Sequence, residues 1–270
     1  MSDWFEWREA PAAQYAVVGD PVSHSLSPAM QNAAFRDLGM GDLYIAVRVP
    51  LEEFEAALTY LTDRGYLGVN VTVPLKAAAF AWAREMPDLE RRMGVVNTLR
   101  LKDRSAINTD APGFLSVVSD SGIAAPSDVL LLGAGGTARA LAVALEDAGF
   151  ALRCWNRTRS KIDALVADLG LRARVVDEPE AAGCPLIVNA TSASMSGECP
   201  PVRWDGVSED AVAIDVFYSD GPTAFEVVAK MNGVLTTLDG RRLLVAQGVL
   251  SFAWWTGKAP PVLAMLKAVE

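Results

Sequence analysis

The sequence predicts an α/β fold in two domains, and three observations carry that prediction. Short apolar runs alternate with amphipathic segments along almost the whole chain, the pattern of strand–helix units that build parallel sheets. A glycine-rich turn, Gly133-Ala134-Gly135-Gly136, falls between a strand-like and a helix-like stretch. The 270 residues accommodate one large domain or two of ordinary size, and the pattern restarts part-way along. With 51% hydrophobic and 21% charged residues, the composition is globular. A net charge of −9, from 24 basic and 33 acidic side chains, argues against a general binder of nucleic acid or anionic membranes. The single histidine, His24, excludes a multi-histidine metal site, and no metal is expected. Cys154, Cys184 and Cys199 are odd in number and lack C-x-x-C spacing, which suits a reducing compartment. Acids stand near the N-terminus where a signal peptide has its apolar run, and no apolar stretch is long enough to span a bilayer. A cytoplasmic location without a membrane span is therefore expected.

The elements follow in order. Tyr15–Gly19 is the first strand, and after a loop Pro28 opens a helix at its favoured first position, with Ser27 as cap. A strand over 43–49 leads into a helix over 51–64. The third strand, 68–72, stops before Pro74, and 75–83 is helical. Segments 95–101 and 106–109 flank a polar turn as a hairpin. From about Ala111 a second pattern begins. A buried strand over 128–133 is followed by a helix with apolar residues at 138, 141, 142, 145 and 148, a helical spacing. A strand over Ala151–Trp155, a helix around Ile162 and Leu169, and strands over 186–189, 211–215 and 234–238 come next. The last long helix is expected over 242–255. The domains therefore divide as 1–109 plus 241–270, and 110–240.

Gly133-Ala134-Gly135-Gly136-Thr137-Ala138 matches the dinucleotide fingerprint G-x-G-x-x-[G/A]. The first glycine permits the tight turn, the second lets backbone approach a pyrophosphate, and small Ala138 lets the helix pack on the strand. The first N–H groups of the helix face the phosphates. An ordinary glycine-rich turn is the alternative. NAD-binding versions carry an acid about 20 residues further on, for the ribose 2′-hydroxyl. Here the tip of the second strand reads Trp155-Asn156-Arg157-Thr158-Arg159-Ser160-Lys161, without an acid. Arg157, Arg159 and Lys161 offer charge-assisted donors to a 2′-phosphate, which predicts NADP, against the alternative of a solvated basic loop.

Polar residues also gather at strand ends in the first half. Ser25 and Ser27 flank Leu26, Asn70 and Thr72 precede Lys76 across Pro74, and Asn97 and Asn108-Thr109-Asp110 add amides and a carboxylate. Open α/β sheets collect ligands outside the carboxyl ends of their strands.

Eight motifs in register over nearly the whole chain resemble the shikimate dehydrogenase family: Ser23-His-Ser-Leu-Ser-Pro28, Asn70-Val-Thr-Val-Pro-Leu-Lys76, Gly94-Val-Val-Asn-Thr98, Asn108-Thr-Asp110, Gly133-Ala-Gly-Gly136, Asn156-Arg-Thr158, Asn189-Ala-Thr191 and Val245-Ala-Gln247. The resemblance implies an N-terminal α/β substrate domain and a Rossmann-type NADP domain, with the C-terminal helices returning to the first. It implies reversible NADPH-dependent reduction of 3-dehydroshikimate to shikimate, in aromatic amino acid biosynthesis, by a monomer or homodimer. Hydride transfer to a carbonyl requires a proton at its oxygen, and a lysine amine can carry it. Lys76 matches the family's catalytic lysine and Asp110 its partner carboxylate. Ser25 and Ser27 would meet the substrate carboxylate, with a pure capping role for Ser27 as the alternative. Asn70, Thr72, Asn97 and Gln247 would hold the ring hydroxyls. Tyr218 matches a tyrosine near the ligands, or is a structural tyrosine. Gly133 to Thr137, together with Asn156, Arg157, Thr158, Lys161 and Gly240, would hold NADP. The chain departs from the family pattern at Ala111, Asp220, Arg242 and Leu243, the last two near where the family seats nicotinamide. A catabolic quinate/shikimate dehydrogenase and a non-catalytic shikimate-responsive binder are the competing readings. The presence of both Lys76 and Asp110 speaks against the binder.

Overall fold

Uninterrupted apolar strands need cover on both faces, and the chain supplies it twice. The computed structural model describes residues 4–270. The chain divides into two compact units, Met1–Thr109 with Leu244–Glu270, and Asp110–Leu243. The division falls inside the last long helix, slightly later than the expected return at 241.

Among the described residues the first unit holds six strands: β1 (Trp4–Glu6), β2 (Tyr15–Gly19), β3 (Tyr44–Arg48), β4 (Gly68–Val71), β5 (Thr98–Arg100) and β6 (Ser105–Ile107). Their order is β1-β3-β2-β4-β5-β6. The first four run parallel, whereas β5 pairs antiparallel with both β4 and β6. Period-two alternation splits the central strands β2 and β3 between two cores. Val18, Val47 and Val69 face one side with Leu58 and Leu61, and Tyr15, Val17 and Tyr44 face the other with Phe35 and Phe252. Each fully buried leucine contributes ~1.5–3 kcal/mol relative to exposure. Helices α1 (Ser27–Asp37), α2 (Phe54–Asp63), α3 (Lys76–Trp82) and α4 (Asp88–Met93) belong to this unit.

The second unit contains α5 (Asp110–Asp120), β7 (Asp128–Leu132), α6 (Gly136–Asp147), β8 (Ala151–Trp155), α7 (Arg159–Leu169), β9 (Arg174–Val175), β10 (Leu186–Asn189), β11 (Val212–Asp215), α8 (Ala224–Met231) and β12 (Thr236–Leu238). All six strands are parallel, in the order β12-β11-β10-β7-β8-β9. This is the doubly wound dinucleotide-binding order, with its switch point between β7 and β10. Helix α9 (Gly240–Thr256) then carries the chain back into the first unit, and α10 (Val262–Lys267) ends it.

Several elements depart from expectation. β1 and β9 are edge strands too short to show a period, and α4 and α10 are six-residue helices. α5 opens at Asp110 with Pro112 in its first turn, where the missing N–H breaks no helical bond. α8 is announced by a capping box, Thr223 and Glu226, which the sequence displays. α9 starts at Gly240, not 242, and β12 is shorter than the expected 234–238. Among the described residues no helix is long and apolar enough to cross a membrane.

Candidate active site

In the first unit, polar side chains that are distant in sequence form one buried network. Asn70, on β4, donates through Nδ2 to the Asn97 carbonyl at 3.2 Å and to the Thr98 and Ser251 hydroxyls at 3.0 Å each. Its Oδ1 accepts from the Tyr44 hydroxyl at 2.7 Å. Both amide protons are thus used within the protein, which ties Asn70 into the scaffold of this network. Asn97 accepts the Thr109 N–H at Oδ1 (2.8 Å) and donates to Thr109 Oγ1 (3.0 Å). Thr109 Oγ1 also donates to Gln247 Oε1 at 3.3 Å, and Gln247 Nε2 donates to the Leu244 carbonyl at 2.7 Å. Ser251 joins them, with its hydroxyl 2.9 Å from that of Thr98 and 3.2 Å from that of Thr109. Sequence reasoning missed Ser251, Thr98 and Tyr44. The available signal was Ser251 one helical turn after Gln247, on the same face. Ser251→Ala strands buried partners, and a loss of about 1–3 kcal/mol of stability is expected, read as a lower urea midpoint. An unchanged midpoint would mean that the network does not need this hydroxyl.

Lys76 opens α3 beyond the carboxyl end of β4 and is only 8% exposed. Its carbonyl accepts the Val96 N–H at 3.4 Å, tying this turn to the segment that presents Asn97. Thr72, half-buried, donates its N–H to the Val18 carbonyl at 2.9 Å. Ser27 is the first residue of α1 and makes no side-chain cap bond; Leu26 occupies the cap position. Ser25 Oγ accepts the Ser27 N–H at 3.3 Å, so the capping acceptor is Ser25, contrary to the sequence expectation. His24 is exposed in the same loop. Trp255 stacks on Tyr15 with centroids 4.9 Å apart, and the Arg100 guanidinium lies 4.0 Å from the centre of the Trp254 ring, which gives both tryptophans packing roles.

In the second unit, the turn after β7 is shaped by its neighbour. Gly133 has φ +118°, and a Cβ there would lie 2.6 Å from the Ala190 carbonyl oxygen. Ala134 follows, and a Cβ built on Gly135 would meet nothing within 4 Å. Gly135 occupies the cap position of α6, so no side chain caps the helix start that Gly136 and Thr137 form. At the tip of β8, Asn156 donates to the Thr158 carbonyl at 2.9 Å, and Thr158 is the cap residue of α7. Arg157 and Lys161 are exposed. Arg159 is not a third available cation: it pairs with Asp163 at 2.8 Å and also with Asp177. Gly240 begins α9 with its N–H bonded to the Phe217 carbonyl at 2.9 Å, and a Cβ there would lie 2.3 Å from the Val216 oxygen. Close packing accounts for this glycine. Tyr218 stacks beside Phe217, with the Arg241 guanidinium 5.9 Å from its ring centre. Leu243 is buried and Arg242 exposed. A phosphorylated dinucleotide fits this sheet end: an open glycine cradle, a helix N-terminus without a side-chain cap and two exposed cations beyond the adjacent strand. Burial pushes the Cys154 thiol up to about 12 and those of Cys184 and Cys199 to about 11, so none is a thiolate nucleophile at neutral pH.

A parallel sheet in dinucleotide-binding order, together with a second α/β unit that shelters a lysine and a set of amides, defines a pyridine-nucleotide-dependent dehydrogenase. The chain is 39% identical over 260 residues to an NADP+ shikimate dehydrogenase of Thermus thermophilus, covering 95% of this chain and 97% of that one. It belongs to the shikimate dehydrogenase family. The NADP+ shikimate dehydrogenase of Xanthomonas euvesicatoria is 40% identical, with 96% and 97% of the two chains covered. Residues 17–99 match the shikimate dehydrogenase substrate binding domain, and 240–270 match the shikimate 5′-dehydrogenase C-terminal domain. The crystal structure of a Thermus thermophilus shikimate 5-dehydrogenase in complex with NADP(H) and shikimate superposes with a TM-score of 0.84 at 37% identity, covering 94% of this chain and 97% of that one.

Proposed function

We propose that this protein catalyses the reversible NADPH-dependent reduction of 3-dehydroshikimate to shikimate, a step toward the aromatic amino acids. The observation that carries this reading is the whole-length relation to an enzyme solved with NADP(H) and shikimate together. Met1–Thr109 with Leu244–Glu270 serves as the substrate unit, and Asp110–Leu243 as the NADP unit. A cytoplasmic monomer or homodimer is part of the same reading, and three free cysteines agree with a reducing compartment.

When bound along Gly133–Thr137, Arg157 and Lys161, NADPH supplies the hydride. Lys76 gives a proton to the carbonyl oxygen as it becomes a hydroxyl, and takes it back in the reverse direction. Asp110, buried at 6% exposure and directly following the network residue Thr109, accepts a hydrogen bond and orients the reacting alcohol. Asn97 and Gln247, held by Thr109, recognise ring hydroxyls, because an amide both donates and accepts. Thr72 adds a hydroxyl to this set. The Ser25 and Ser27 hydroxyls donate to the substrate carboxylate.

Consumption of NADPH by the purified protein with 3-dehydroshikimate tests the reading. Turnover of quinate at an efficiency equal to shikimate would favour the catabolic relative, and binding without turnover would favour the non-catalytic one. Replacing Ser25 and Ser27 together with alanine should weaken shikimate binding by about 1–3 kcal/mol, measured calorimetrically. Because Ser25 accepts the Ser27 N–H, the same variant should also lose about 0.5–2 kcal/mol of stability. Unchanged affinity in the folded variant would remove both serines from the carboxylate contact.

A further inference from the structure

Asp215 ends β11 with no exposed surface, and the reaction described above gives it no task. Ser194 donates to its Oδ2 at 2.5 Å, while the Phe217 N–H (3.1 Å) and Asn189 Nδ2 (3.3 Å) donate to its Oδ1. The Thr223 hydroxyl adds a further donor, and burial nevertheless pushes the carboxyl above its ordinary range. A buried carboxylate is costly compared with an apolar side chain of similar size, so its placement at the end of a dinucleotide-binding sheet needs a reason.

The contacts lead to the glycine turn. Asn189 ends the neighbouring strand β10, and its Oδ1 accepts both the Thr191 N–H at 3.1 Å and the Thr191 hydroxyl at 2.7 Å. Between them Ala190 donates its N–H to the Leu132 carbonyl at 2.8 Å and places its own carbonyl where Gly133 can carry no Cβ. An unbroken series of contacts therefore runs from Asp215 through Asn189 to the first glycine of the fingerprint. A second arm runs through the Phe217 N–H: the Phe217 carbonyl accepts the Gly240 N–H, and Tyr218 comes next in the chain.

We infer that Asp215 is a positioning residue for the dinucleotide: through Asn189 and Phe217 it fixes the two backbone segments that set the place of the Gly133–Gly135 turn and of Gly240. This rests on the reading of that turn as the NADP site. Nothing in the role requires contact between Asp215 and the cofactor.

The test measures NADPH affinity from its nicotinamide fluorescence on titration, and shikimate affinity by calorimetry, on the full chain. Asp215→Asn keeps the size of the side chain but exchanges an acceptor for a donor opposite the Asn189 amide. It should weaken NADPH binding about tenfold or more while shikimate affinity stays within about twofold. Ser194→Ala, a milder change should the first variant not fold, should weaken NADPH binding about threefold with the same selectivity. A merely structural role predicts lower stability with NADPH affinity unmoved, or both affinities falling together; either result in a folded variant overturns the proposal. Failure of the unmodified protein to bind NADPH overturns the underlying site assignment instead, and is seen before any variant is made.

Discussion

Lys76→Ala is expected to lower turnover of 3-dehydroshikimate by roughly 10²–10⁴-fold, the usual contribution of a positioned general acid or base. NADPH affinity should change little, because Lys76 belongs to the first unit and the glycine turn to the second. The reason for so large an effect lies in the chemistry. Hydride addition leaves negative charge on the former carbonyl oxygen, and without a proton donor that charge must be met by bulk water. Lys76 is sheltered, and the turn that carries it is tied by the Val96 N–H to the segment presenting Asn97, so proton donor and alcohol recognition share one rigid scaffold. Asp110→Asn should likewise reduce turnover more than substrate affinity. Stopped-flow measurement of a single turnover separates the proton-coupled step from product release. A Lys76→Ala enzyme retaining more than about half of normal turnover would falsify the assignment.

The parallel strands were legible because burial on both faces favours unbroken apolar runs, so Tyr15–Gly19 and 129–132 stand out. The glycine turn was equally visible, but one reason for its first glycine was not: the Ala190 carbonyl that crowds Gly133 follows a strand far along the chain. Asn70 shows the same limit. As a residue type it suits a ligand hydroxyl, yet Tyr44, Thr98 and Ser251, from three separate segments, take up its amide. Ser27 lost the expected capping role because the helix begins one residue earlier than proline placement predicts, which puts Leu26 at the cap position and leaves the Ser27 N–H to Ser25 Oγ. Local chemistry identifies which residues are able to act; long-range pairing decides which of them remain available.

Arg159 brings that lesson to cofactor choice. Of the three cations at the tip of β8, it is already neutralised by Asp163 and Asp177, which leaves discrimination to Arg157 and Lys161. A 2′-phosphate brings nearly two negative charges to this loop, whereas NAD brings only a hydroxyl. The planar fork of Arg157 can meet phosphate oxygens in pairs, and Lys161 adds a point charge. The unmodified protein should therefore prefer NADPH over NADH by at least about tenfold in kcat/KM, even after discounting for exposure. Arg157→Ala should raise the KM for NADPH by about tenfold and leave that for NADH nearly unchanged. Arg159→Ala should move the NADPH KM by less than about twofold, since its guanidinium faces Asp163 and Asp177. Added salt should narrow the gap between the two cofactors, because screening acts on exposed phosphate contacts and hardly on a hydroxyl. Equal efficiency with NADH and NADPH would reject the phosphate-binding role of this loop. A strong Arg159→Ala effect would instead show that phosphate draws Arg159 away from Asp163 and Asp177.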